Sequence, residues 1–167
     1  MEKFNFYWST LLKNIEWIKF SETKAVFLVT VYSVILTIIY ANAKDVYNVI
    51  AQSNWLLFCS IVSALASLLS IFFCFRTLSP VLKNQNPDSI IYFGHIQEKF
   101  NSSADYFSRS SLILNDETQT TEQAAEQVFA TSKIAWRKFS SVSWAIRLFL
   151  TSIGFLTLQI SLYLFVI

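Results

Sequence analysis

Downstream of Glu117 the chain contains no proline, and its pattern keeps the period of a single helix. Apolar or small residues recur at Ala124, Val128, Thr131, Ala135, Phe139, Val142, Ile146 and Phe149, steps of three and four that trace one helical stripe. The stripe runs unbroken into residues 148–167, which carry no charge and are long enough to cross a bilayer core. Asn115 and Asp116 can cap the start, and Glu117, Glu122 and Glu126 place negative charge near the positive end of the helix dipole. A helix of this length spans about 75 Å, and hydrocarbon accounts for only about 30 Å of it. The pattern therefore predicts a rigid rod that joins a soluble layer to a membrane and carries a signal between them.

Two further charge-free stretches, 25–43 and 55–75, are also long enough to span. With 54% hydrophobic and 14% charged residues, the chain falls well below the roughly 25% charge of a soluble domain. Two Gly and two Pro leave few turns, which favours helices over a barrel of short alternating strands. The fold class expected is an all-α membrane protein of three transmembrane helices, with a small cytoplasmic helical layer and a third span continuous with a long cytoplasmic helix. Ala41-Asn42-Ala43 resembles a signal-peptidase site, but the apolar run before it is longer than a signal core and predicts a retained span. Lys and Arg number four in 1–24, one in 44–54, eight in 76–147 and none beyond. The positive-inside rule then makes 1–24 and 76–147 cytoplasmic, 44–54 a periplasmic loop, and the C-terminus periplasmic.

In 1–24, Phe4, Trp8, Leu11, Ile15 and Ile18 share one helical face, with Lys3, Lys13, Asn14 and Glu16 elsewhere. Within 76–147, residues 76–82 prolong the second span until Pro80 bends or ends it, and 84–88 read as a turn. A helix is expected over 89–107, with Gly94 permitting a close contact or a break, and a loop over 108–116.

Catalytic chemistry is not indicated. There is no Gly-rich phosphate loop, no metal-ligand cluster and no histidine or lysine constellation to activate a serine. His95 and Glu98 lie one helical turn apart, two groups where zinc takes three or four. No cofactor, metal or nucleic acid is expected, since a net charge of +2 with no basic run gives no polyanion footprint. Cys59 and Cys74 lie about 22 Å apart along one helix, beyond disulfide reach. No span holds Asp, Glu, Lys, Arg or His, which argues against an ion-coupled carrier. Along the second span, Cys59, Ser63, Ser67, Ser70 and Cys74 form a small-residue face. It suits close helix packing within or between chains, and Ser63, Ser67 and Ser70 are the candidate oligomer interface. Arg76 and Lys83 follow the second span, and Lys133, Trp136, Arg137 and Lys138 precede the third. These cations either flank lipid headgroups or meet an anionic ligand, with Trp136 or Tyr92 stacking on a base.

Three stretches carry a resemblance that spans nearly the whole chain. They are residues 15–25 (IEWIKFSETKA), residues 76–80 (RTLSP) leading to residues 90–94 (IIYFG), and residues 126–128 (EQV) continuing through residues 132–139 (SKIAWRKF). In their order and spacing the sequence resembles the transmembrane effector family of Pycsar-type antiphage defence. Glu22 stands in the first motif where the family pattern has an acidic residue, often Asp. The resemblance implies a small bacterial inner-membrane protein, not an enzyme, switched on by a cyclic pyrimidine mononucleotide, cUMP or cCMP. A partner nucleotide cyclase makes that signal on infection, and the effector assembles as a homo-oligomer and impairs the lipid bilayer, causing abortive infection. Two other readings stay open: an accessory membrane subunit or scaffold that binds a protein, and a relative that senses a cyclic di- or oligonucleotide.

Overall fold

The computed structural model describes residues 2–51, 53–80 and 89–166. Six helices occur among them and no strand: α1 (Glu2–Ala41), α2 (Ala43–Ile50), α3 (Asn54–Leu78), α4 (Phe93–Lys99), α5 (Ser103–Leu114) and α6 (Glu117–Val166). Helices α1, α3 and α6 are long and apolar enough to cross a membrane, and the third span is continuous with the long helix before it. Asp116 caps α6 as its sequence suggests: Oδ1 accepts from Thr118 N at 2.8 Å and Gln119 N at 3.2 Å.

The chain forms two compact units, Met1–Phe20 with Pro80–Arg137, and Ser21–Ser79 with Lys138–Ile167. Helices α1 and α6 each contribute to both. In the first unit Leu11, Ile90, Ile113 and Ala124 are buried. The expected helix over 89–107 is instead two, because Phe100 adopts an extended backbone and Ser102 caps a new start by accepting from Asp105 N at 3.1 Å. Helix α5 then occupies most of what reads as a 108–116 loop. Asn14, counted among the polar residues of its helix, turns inward: its amide donates to Ser132 Oγ at 2.8 Å and Val128 O at 3.3 Å.

In the second unit Ala25, Leu28, Cys74, Val142 and Ala145 form the core. Large apolar residues such as Phe27, Leu65, Leu68, Phe72 and Leu150 face outward, while Ser63, Ser70 and Ser152 are buried. This inversion belongs to a chain solvated by lipid, where small residues bring helices close and a buried hydroxyl must find a partner inside. The 44–54 connection is not all loop, since α2 occupies most of it and packs on α3. Helix α3 starts at Ser53, which accepts from Trp55 N, and stops at Leu78. Ser79 takes ψ 129°, the extended conformation that a following proline enforces. The turn expected over 84–88 lies outside the described residues.

Candidate functional site

The observed buried face of α6 runs through Thr131, Ala135, Lys138, Val142, Ala145 and Ser152. It is one residue out of phase at two places with the stripe drawn from hydropathy: Phe139 and Ile146 are less buried than their neighbours Lys138 and Ala145. A lysine thus occupies a core position, 4% exposed. Its ammonium donates to Glu22 Oε1 at 2.6 Å, to Thr77 O at 2.7 Å and, more weakly, to Ser79 O at 3.4 Å. Each contact has a local cause. Glu22 lies between Ser21 and Ala25, residues of α1 that are fully buried, and its own side chain keeps 39% exposure. Thr77 and Ser79 end α3, where carbonyls lose their helical donors and carry the negative end of the dipole. Lys138 is therefore both an ion-pair partner of α1 and a cap for α3. All three of its donor positions are used, and each good charge-assisted bond contributes about 1.5–3 kcal/mol.

The sequence groups Lys138 with the cations for lipid headgroups or an anionic ligand and gives it no partner within the chain, and it gives Thr77 and Ser79 no role beyond their place in the 76–80 motif. The available signal was the phase of the α6 period combined with the acid in the first motif. Of the other candidates in this unit, Arg76 is exposed near the end of α3. Ser63, Ser67 and Ser70 find partners within the chain. Ser63 Oγ donates to Ser152 O at 3.1 Å, Ser67 Oγ pairs with Ser152 Oγ at 2.7 Å, and Ser70 Oγ donates to Ala145 O at 2.8 Å. Lys83 lies outside the described residues.

The first unit holds the remaining candidates. Lys133, Trp136 and Arg137 are exposed on α6, Trp136 at 73%, and Lys133 Nζ sits 4.3 Å from the Phe129 ring centroid. Tyr92 precedes α4. Ser89 Oγ accepts from the backbone N–H of both Ile91 and Tyr92, each at 3.2 Å, which folds the chain into position. The Tyr92 ring then packs edge-on to His95 with centroids 5.1 Å apart. It lies so close to Gly94 that a Cβ there would stand 2.6 Å from Tyr92 Cε1, so the close contact expected of this glycine is real. His95 is buried, and its Nδ1 has no hydrogen-bond partner among the described residues. Beside this turn is a cavity of about 370 Å³ whose lining includes Phe4, Trp8, Ile91, Tyr106 and Gln123 and, among the described residues, no charged one. Gln123 Oε1 accepts from Ile90 N, and Tyr106 donates to Ile90 O at 3.0 Å. No group of three or more His, Cys, Asp or Glu able to hold a metal occurs among the described residues.

Glu22, the Thr77–Ser79 helix end and Lys138 come one each from the three stretches that carry the family resemblance, and here they share one ammonium. The Pycsar effector protein domain matches residues 6–165. The chain belongs to the Pycsar effector family. Neither a curated protein nor a solved structure matches it. In this Pycsar effector the motif residues that meet are those that pin α1, α3 and α6 together.

Proposed function

We propose that this Pycsar effector is a bacterial inner-membrane protein switched on by a cyclic pyrimidine mononucleotide, cUMP or cCMP, that a partner cyclase makes during phage infection. The activated protein oligomerises and impairs the membrane, so the infected cell is lost before the phage multiplies. It acts by assembly and not by catalysis. Its N-terminus and the 76–147 segment are cytoplasmic and its C-terminus periplasmic, a reading supported by the eight Lys and Arg of 76–147 and their absence after the third span.

The observation that carries this reading is the Lys138 junction, which joins family motifs at the ends of apolar helices. It suits a resting state held shut by a few charge-assisted bonds. A nucleotide opens such a state only if it binds the active assembly better than the resting one, and a tenfold preference corresponds to about 1.4 kcal/mol. Lys133 and Arg137 are the cations of the first unit on the same helix as that junction. We assign them to the phosphate, with Trp136 or Tyr92 against the base.

Thermal-shift measurements and calorimetry on the detergent-solubilised protein test the proposal. Stabilisation by cUMP or cCMP, with no response to the linear monophosphates, is expected. A response only to a cyclic dinucleotide overturns the ligand class. No response to any nucleotide, together with a protein partner that co-purifies, favours the scaffold reading.

A further inference from the structure

Within the second unit, α1, α2, α3 and α6 line a half-open cleft of about 570 Å³, inside the roughly 300–1,000 Å³ range of small-molecule sites. Its walls are mostly aliphatic, among them Ile35, Leu68 and Leu156. Apolar walls do not hold water, whereas hydrocarbon surrounds these helices on every lipid-facing side. The cavity is nevertheless not purely a slot for a lipid tail, because Tyr32, Gln159 and Tyr163 also line it.

Tyr32 is the informative one. It is 3% exposed, and its ring is fixed edge-on to Phe149 with centroids 5.4 Å apart. Its hydroxyl has no hydrogen-bond partner among the described residues. Ser67 and Ser70 stand near it, but neither makes a well-formed bond to it. Ser67 is engaged with Ser152 Oγ, and Ser70 donates to Ala145 O. A buried hydroxyl left without an acceptor is destabilising, and a ligand carrying an acceptor relieves it. Among the described residues no Lys, Arg, Asp or Glu lines the cavity, so the ligand that fits is uncharged where it lies between the helices.

We propose that this cavity binds a neutral, carbonyl-bearing membrane lipid, its apolar body against the aliphatic walls and its carbonyl oxygen accepting from Tyr32 Oη. Two membrane components share that chemistry, an isoprenoid quinone and the acyl ester portion of a glycerolipid. The proposal does not depend on the identity of the cytoplasmic nucleotide.

Native mass spectrometry of the full chain, released from detergent after incubation with decylubiquinone or with dioleoylphosphatidylglycerol, reads retention of each probe directly. Wild type should retain one of the two at near one equivalent. Tyr32→Phe should lower its retention about three- to tenfold, the loss of a single neutral hydrogen bond. Ala64→Trp, which fills the cavity from an exposed wall position, should abolish retention. Far-ultraviolet circular dichroism and the melting temperature establish that both variants are folded. The quinone arm alone responding identifies a quinone, and the glycerolipid arm alone an ester lipid. Equal retention of both probes by wild type and Ala64→Trp, or no effect of Tyr32→Phe, overturns the proposal.

Discussion

Replacing Glu22 with Gln keeps the oxygen that accepts from Lys138 and deletes only the charge. Removing one member of a buried ion pair costs about 3–5 kcal/mol when both members are enclosed. Here Lys138 is enclosed, but the Glu22 side chain is 39% exposed. Solvent screening lowers the expectation to about 2–3 kcal/mol. For a chain of this length that is a fall in melting temperature of roughly 4–12 °C. Lys138→Met behaves differently. It removes the cation together with its desolvation cost, and Glu22 returns to solvent, but Thr77 O at 2.7 Å loses its donor. That unpaired carbonyl sets the loss at about 1–3 kcal/mol. In the Lys138→Met background Glu22→Gln should then change almost nothing, so a double-mutant cycle should return a coupling of about 2 kcal/mol. Thermal unfolding and a reversible titration with SDS, both followed by tryptophan fluorescence, measure the three variants. A coupling below about 0.5 kcal/mol would show that the two side chains do not share an interaction, and the junction would lose its role in holding the resting state.

If the proposed nucleotide binds as assigned, Arg137→Ala or Lys133→Ala should weaken its binding by about 1.5–3 kcal/mol, one to two decades in Kd by calorimetry; unchanged affinity in both moves the phosphate off this face of α6. Ser152→Ala removes the hydroxyl shared by Ser63 and Ser67, and should lower stability by about 0.6–1.7 kcal/mol, read by the same SDS titration. Gly94→Ala forces the Tyr92 ring aside, so the His95 ring protons should shift in NMR spectra as the edge-on contact opens, and an unmoved spectrum would mean the ring tolerates the methyl. Asp116 is held below its usual carboxyl pKa by the N–H groups of Gln119 and Thr118. A depressed folded pKa gives a contribution present above the ordinary carboxylate value and lost as pH falls through the lower folded one. The protection factors of the amides at the start of α6, which correct for the intrinsic pH dependence of exchange, should therefore fall in acid, and Asp116→Asn should make them independent of pH.

Much of the architecture can be read from the sequence because its causes are local. The charge-free lengths mark the spans, the 3–4 spacing marks α6, and Asp116 marks its cap. The small face of α3 is likewise legible at Cys59, Ser63, Ser70 and Cys74, all of them buried. The junction is harder because Lys138 pairs with a residue 116 positions away. A hydropathy-led reading also selects Phe139 over Lys138 for the packed face. The choice fails because Lys138 finds Glu22 and two backbone carbonyls inside, while Phe139 stays 36% exposed. The break between α4 and α5 has a local signature in the Ser102 cap, which apolar periodicity over the same stretch obscures. Asn14 is a similar case, since a short amide can serve equally as a solvated surface group or as an interhelical donor.

The cap on α3 also sets an order of events during synthesis. Thr77 and Ser79 precede their donor by 61 and 59 residues, so the end of α3 waits for roughly 3–12 s of elongation before Lys138 exists. Until then Glu22 has no countercharge from α6, and the end of α3 that Lys138 caps stays chemically incomplete. Only a chain that has delivered α6 can close it. A product interrupted before Lys138 would retain two apolar helices able to enter the bilayer without the group that joins them, and is the species that membrane quality control would be expected to remove.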